Sequence, residues 1–248
     1  MILHNSSWQQ VEAYLKNSQT IIIPVGSTEQ HGPTGLLGTD AICPEAIALE
    51  CEKLCDVLVA PTFNVGNAHH HLGFPGTISL KPSTMILAVK DWVASLVKHG
   101  FKNIIWFNGH GGNIAPLGTA FVDIYADYSF AQRTGDNAVD FTLLQKNWWD
   151  LPTVAKLLKE LIPENDGMHA TVSEISLTMA VFKGERFPDG ELIPEIAPTG
   201  RFRDAADYRN VFPDGRIGSK ASLANKDIGF SLLDAGAKDL SEFVKSLD

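Results

Sequence analysis

Cysteine is scarce in this 248-residue chain: Cys43, Cys51 and Cys55 are the three present. An odd number, close together on one predicted helix, excludes a disulfide framework and points to reduced thiols in a cytoplasmic setting. A soft metal site on these thiols is the alternative. Long hydrophobic runs are missing as well. No stretch of about 18 apolar residues exists, which excludes a transmembrane helix. The segment from Met1 to Gln10 is polar and has no signal-peptide pattern. Basic charge is also in short supply: 20 Lys and Arg stand against 29 Asp and Glu, for a net charge of −9. The basic residues are scattered singly, so no nucleic-acid face is expected. No repeat or low-complexity tract interrupts the chain. Hydrophobic residues make up 44%, enough for one sizeable core, and a single domain over residues 1–248 is expected.

What is present is an alternation of short apolar runs and helical patterns. Thr20 to Val25 is a buried-strand pattern that ends at Gly26. Ile42 to Cys55 has helical spacing, Val57 to Ala60 is the next strand, and Pro82 to His99 is a helix closed by Gly100. Ile104 to Phe107 is a third strand, and Asn113 to Tyr125 the helix after it. This rhythm predicts an α/β fold, a mostly parallel sheet with helices on both faces. The second half is less regular. Pro152 to Ile162 and Ser173 to Phe182 are predicted helices, Phe187 to Ser222 long surface loops, and Asp227 to Leu247 a closing amphipathic helix.

The chemistry-bearing residues follow the strands. After the first come Glu29, His31 and Asp40; after the second, His69, His70 and His71; after the third, Asn108-Gly-His110-Gly-Gly-Asn113. Loops at the carboxyl ends of parallel strands converge on one crevice. Glu29, His31, Asp40 and His110 form the mixed carboxylate and imidazole set that zinc or manganese prefers. Glu-x-His in an extended segment points both side chains the same way. Asp40 opens a helix, where it would serve as ligand or as cap. Of the three adjacent histidines, one or two at most face a common site. The glycine-rich turn after the third strand also suits a phosphate, but it matches neither nucleotide fingerprint. His169 and Glu174 flank the start of a predicted helix, with Ser173 as a candidate cap.

Five motifs in order carry a resemblance. They are Pro24-Val-Gly-Ser-Thr-Glu-Gln-His-Gly-Pro33, Leu37-Gly-Thr-Asp40, Phe74-Pro-Gly-Thr-Ile-Ser-Leu80, Asn108-Gly-His-Gly-Gly-Asn113 and His169-Ala through Glu174. Together they resemble the creatininase (creatinine amidohydrolase) family. The resemblance implies a three-layer α/β/α fold and two divalent metal ions, zinc with manganese, iron or a second zinc. It also implies cleavage of a non-peptide C–N amide bond in creatinine, a formamide or a related small amide, and assembly as homohexamers. Carried over by position, Glu29, Asp40 and His110 hold one ion, and His31 with the bridging Asp40 the other. Creatininase has a Tyr-Glu pair directly after the His of its Asn-Gly-His motif, and that Glu is a metal ligand. Here Gly111 and Gly112 stand instead, which is more like branches of the family that act on formamides or on a peptide. Glu174 is the candidate replacement ligand. Ala68 also lies where many relatives carry Ser.

The expected mechanism uses a metal-activated water, with His169 as general acid and Glu174 as ligand or proton shuttle. His71, Asn113 and the backbone N–H groups of Gly111 and Gly112 would orient the substrate. Trp148 and Trp149 would form an aromatic wall or pack in the core. The alternative to an enzyme is a non-catalytic metal- or ligand-binding protein on the same scaffold.

Overall fold

The computed structural model describes residues 1–131 and 138–247. Four parallel strands form one sheet in the order β2-β1-β3-β4: β1 Thr20–Val25, β2 Leu58–Val59, β3 Asn103–Asn108 and β4 Thr142–Asn147. The helices are α1 Trp8–Tyr14, α2 Thr39–Glu52, α3 Pro82–Lys98, α4 Ile114–Phe130, α5 Pro152–Leu161, α6 Val172–Val181, α7 Ala205–Val211 and α8 Lys226–Lys245. This is the expected α/β fold.

The strands read as unbroken apolar runs because both of their faces are covered. Alternate residues point to opposite sides. Ile21, Ile23, Ile104 and Trp106 join Met85 and Val89 of α3 and Leu117 and Ala120 of α4 in one core. Ile22, Ile105 and Phe107 join Ile47 and Cys51 of α2, Val154 of α5 and Leu240 and Val244 of α8 in the other. The three thiols are unpaired: Cys43 and Cys51 are buried and Cys55 is half-buried.

The topology decides where the site lies. The chain runs from β1 to β2 through α2 on one face, then passes back over β1 to β3 through α3 on the other. The loops leaving β1 and β3 therefore diverge and open a crevice at the carboxyl end of the sheet. Gly26 and Gly109 end these two strands. A Cβ at either would collide with the backbone carbonyl of Asp40, so their bare backbones let the first turn of α2 sit between the strand ends. That turn begins at Thr39, three residues before the apolar spacing signals a helix. The expected second strand shrinks to two residues. Strand β4 and helices α1 and α7 fall where no regular element is predicted; α7 interrupts the expected loop of residues 187–222.

Candidate metal centre

Four segments deliver the polar side chains. The β1 loop brings Glu29 and His31, the first turn of α2 brings Asp40, the β3 loop brings His110, and the start of α6 brings Glu174 with His169 just before it. Glu29 is 0% exposed and Asp40 3%. Asp40 stands in the middle. Its Oδ1 lies 2.9 Å from His31 Nε2 and its Oδ2 lies 2.8 Å from His110 Nδ1. Glu29 Oε2 adds to the His110 side at 3.3 Å. Glu174 Oε1 adds to the His31 side, 3.8 Å from Nε2. The two oxygens of one carboxylate are thus shared between two groups of donors.

Glu29 Oε1, Glu29 Oε2 and Asp40 Oδ2 are buried and have no hydrogen-bond partner among the described residues. Ring nitrogens lie close to them, but outside hydrogen-bond geometry. Buried carboxylate oxygens without donors are costly unless a cation meets them. Glu29, His31 and Asp40 have ligand atoms within 4.8 Å of one another, as do His31, His169 and Glu174, and Glu29, His71 and His169. The donor set fits divalent cations of borderline softness.

Local charge follows from this packing. Burial works against a charged His31, but Asp40 outweighs it, helped by Glu174 and Glu29, and the ring is pushed up to about 10. His110 is likewise disfavoured by burial, yet Glu29 and Asp40 lift it to about 9. Burial would raise Asp40, but His31 and His110 hold it well below the usual carboxylate range. Glu174 is pushed up to about 7, chiefly by burial. His71 falls to about 2, through burial and then the neighbouring His31 and His110. His169 is held well below its ordinary value by burial and then by His71 and His31.

These directions fix an outcome for metal uptake. Without cations, His31 and His110 carry protons at pH 7, because both values lie above it. Coordination requires neutral rings and an ionised Glu174, so uptake at pH 7 is expected to release between about two and three protons and to tighten as pH rises toward 9. Calorimetric titration with zinc in buffers of different protonation enthalpy measures the number. The same raised values stabilise the metal-free fold fully below about pH 6.5 and lose that contribution as pH passes 9 to 10. The metal-free melting temperature should therefore fall over that alkaline range.

Gln30, between two candidate ligands, was not singled out by sequence reasoning. Its Oε1 accepts from Gly32 N–H at 2.8 Å and its Nε2 donates to the Gly215 carbonyl at 2.9 Å, so the amide has one orientation. The same Nε2 lies 2.8 Å from His71 Nδ1, which leaves the proton of a neutral His71 on Nε2, 3.0 Å from Glu29 Oε1. His169 Nε2 lies 2.7 Å from the Gln30 carbonyl oxygen and donates to it, which turns Nδ1 inward, 3.6 Å from Glu29 Oε1. Gln30 thus orients two rings beside the carboxylates, as outer partners of metal ligands do. Its position inside the Glu-x-His run was the available signal.

The other expected residues divide. Gly111 and Gly112 line the cleft. Gly111 has open space where a Cβ would go, whereas a Cβ at Gly112 would strike His110 Nε2 and the Asn67 carbonyl. Asn113 does not line the cleft. It is fully buried, donates to the Gly26 carbonyl at 2.9 Å and accepts from Asn67 N–H at 3.0 Å, and so braces two loops. Glu174 completes a capping box with Thr171, whose N–H reaches its Oε1 at 2.6 Å. The cap of α6 is therefore Thr171, and Ser173 instead bonds Asp166 through its N–H and hydroxyl, at 2.8 and 3.0 Å.

A cleft of about 530 Å³ opens over the centre. Trp148, Trp149, Leu158, Met168, Phe202 and Ile217 give it an apolar side, and no Lys or Arg is among its described lining residues. Trp148 belongs both to this wall and to the core, at 2% exposure.

Comparison with known proteins agrees with this architecture. A family model described as "Creatininase: Creatinine amidohydrolase" matches residues 4–244. The creatinine amidohydrolase of Pseudomonas putida is 26% identical over 186 residues, covering 71% of this chain and 70% of the relative. The 3-dehydro-scyllo-inosose hydrolase of Thermotoga maritima is 28% identical over 225 residues, covering 90% of this chain and 65% of the relative. The mycofactocin precursor peptide peptidase of Mycolicibacterium smegmatis is 37% identical over 106 residues, 40% of this chain and 42% of the relative. Solved creatininase structures share the fold: one designated Mn has a TM-score of 0.79 at 22% identity, and a mutant of Zn-Zn type 0.80 at 23%. Each covers 99% of this chain and 97% of the other.

Proposed function

This chain belongs to the creatininase family, and we propose that it is a metal-dependent amidohydrolase that cleaves a non-peptide carbon–nitrogen bond of a small amide. The observation that carries the reading is the division of Asp40 between two donor groups, beside three buried carboxylate oxygens without hydrogen-bond partners among the described residues. Glu29, Asp40 and His110 would hold one cation; His31, Asp40 and Glu174 the other. Zinc with manganese, iron or a second zinc suits these ligands. When bound, such ions supply Lewis acidity toward a water and an amide carbonyl.

The chain's own residues supply the rest. His169, the candidate general acid, turns an unprotonated Nδ1 inward because its Nε2 donates to the Gln30 carbonyl, so it would first take up the proton of the attacking water on Nδ1 and then pass it to the leaving nitrogen. Glu174 keeps Oε2 available for proton transfer, since Oε1 is engaged by Thr171. The N–H groups of Gly111 and Gly112 orient the carbonyl from the cleft wall. Trp148 and Trp149 exclude water on the apolar side. The absence of Lys and Arg among the described lining residues favours an uncharged or cationic substrate over a carboxylate-bearing one.

The same reading carries a single domain over residues 1–248 and assembly as a homo-oligomer, a hexamer by family resemblance. Three unpaired thiols suit a reducing, cytoplasmic setting. Among the described residues no helix is long and apolar enough to cross a membrane.

The test is metal content per chain, paired with hydrolysis of creatinine, a formamide and a short peptide amide. About two ions and turnover of one substrate are expected. Retained metal without any turnover would instead favour a non-catalytic metal-binding protein, and absence of metal would sink the reading altogether.

A further inference from the structure

Six imidazoles lie in or beside the cleft, and five of them are engaged by polar groups of the protein. His31 meets Asp40 and the Glu29 carbonyl, and His110 meets Asp40 and the Asn67 carbonyl. His71 and His169 are held by Gln30 and face Glu29, and His69 bonds Asn67. His70 differs. It lines the cleft, and neither of its ring nitrogens has a hydrogen-bond partner among the described residues.

Its ring is nonetheless fixed. Phe202 stacks on it at 5.1 Å between centroids and 26° between planes. Phe202 is itself braced edge-on by Tyr208 and Phe212, at 4.8 and 6.0 Å. The His70 ring runs nearly parallel to that of His110, 15° apart, with centroids 6.3 Å apart. A polar group is thus held rigidly in a largely apolar cleft, next to the carboxylate cluster, with its hydrogen-bonding capacity unspent. Binding pockets have this composition: apolar walls and a few fixed polar groups that orient the ligand. A solvated loop histidine would not be clamped between aromatic rings, and His70 belongs to none of the convergent ligand groups.

We propose that His70 is the side chain that hydrogen-bonds the substrate, a flat uncharged amide lying against the Phe202 side of the cleft. The proposal rests on the amidohydrolase reading of the same centre. His70 is the middle residue of the run His69 to His71, and the stacking ring that positions it, Phe202, comes from the distant 187–222 segment.

The test uses full-length zinc-loaded protein and benzamide as probe, with binding followed by the fluorescence of Trp148 and Trp149, which line the same cleft. His70→Phe keeps a ring against Phe202 and removes the hydrogen bond; His70→Asn restores a polar group; His70→Ala removes both. Benzamide should bind about tenfold more weakly to the Phe and Ala variants, and within about threefold of wild type to the Asn variant. Zinc content should be equal in all four proteins. Wild-type affinity in the Phe variant, zinc loss in the Ala variant, or no benzamide binding by wild type would each overturn the proposal. Turnover of the amide panel by wild type is judged separately. Its failure would remove the hydrolase reading while the benzamide ratios still decided the role of His70.

Discussion

Replacing Asp40 with alanine is expected to remove both cations and to lower turnover by about a thousandfold or more. Asp40 is the carboxylate common to the two donor groups, at 2.9 Å from His31 and 2.8 Å from His110. Loss of Lewis acidity worth ~4 kcal/mol corresponds to about three decades of rate. The helix itself should survive. Gly38 occupies the N-cap position of α2 and no side-chain cap bond is present there, so Asp40 is not needed to start the helix. A cap role would instead cost about 1 kcal/mol of stability and leave activity nearly normal. Plasma emission for metal content, thermal unfolding and steady-state kinetics distinguish the two outcomes. Asp40→Asn serves as a control of equal size. It keeps the packing around Gly26 and Gly109 but removes the charge, and it should also fail to bind two ions.

Glu174→Gln should separate the two sites. Glu174 combines two roles in one side chain: Oε1 accepts from Thr171 N–H within the capping box, and the same carboxylate approaches His31 at 3.8 Å. Glutamine preserves the cap and removes the charge. The expected protein folds normally, retains about one ion per chain and binds the second at least about a hundredfold more weakly. Glu174→Ala should show the same metal loss together with about 1 kcal/mol of lost stability. Two ions at wild-type affinity in the Gln variant would mean that Glu174 is a helix-end carboxylate and that another group completes the His31 side. The geometry of Gly112 makes a simple rescue by Gly112→Glu a poor one. Its Cβ would enter the space of His110 Nε2 and the Asn67 carbonyl, so the carboxylate found there in creatininase does not fit this loop as it stands.

Glu174 also illustrates why sequence spacing left two readings open. A carboxylate three residues past a threonine is a helix-start signal, and a carboxylate five residues past a histidine is a ligand pattern. Only the fold of the 162–171 segment, which turns α6 toward the end of the sheet, lets one side chain meet both descriptions. Asn113 is the opposite case. It sits in a glycine-rich loop beside a candidate ligand, but its amide is spent on Gly26 and Asn67. Gln30 and His70 were hidden for related reasons. An amide between two candidate ligands is marked only by its neighbours, and which member of a histidine triplet faces a cleft depends on the turn that carries it.

The sequence by itself determined the parallel α/β layout, because strands covered on both faces must read as continuous apolar runs between helical patterns. It also singled out Glu29, His31, Asp40 and His110 as one candidate cluster, because all four follow strand ends, and the fold brings their side chains together. Tertiary structure decided the rest. The passage of the chain back over β1 made the crevice, and bare glycine backbones at the two strand ends seated Asp40 within it. The edge strand β4 and short helices α1 and α7 took their form from packing that no local period records. The remote 187–222 segment supplied Phe202, Tyr208 and Gly215 to the site. Contacts between residues more than a hundred positions apart leave no trace in local spacing, since only the closed fold brings them together.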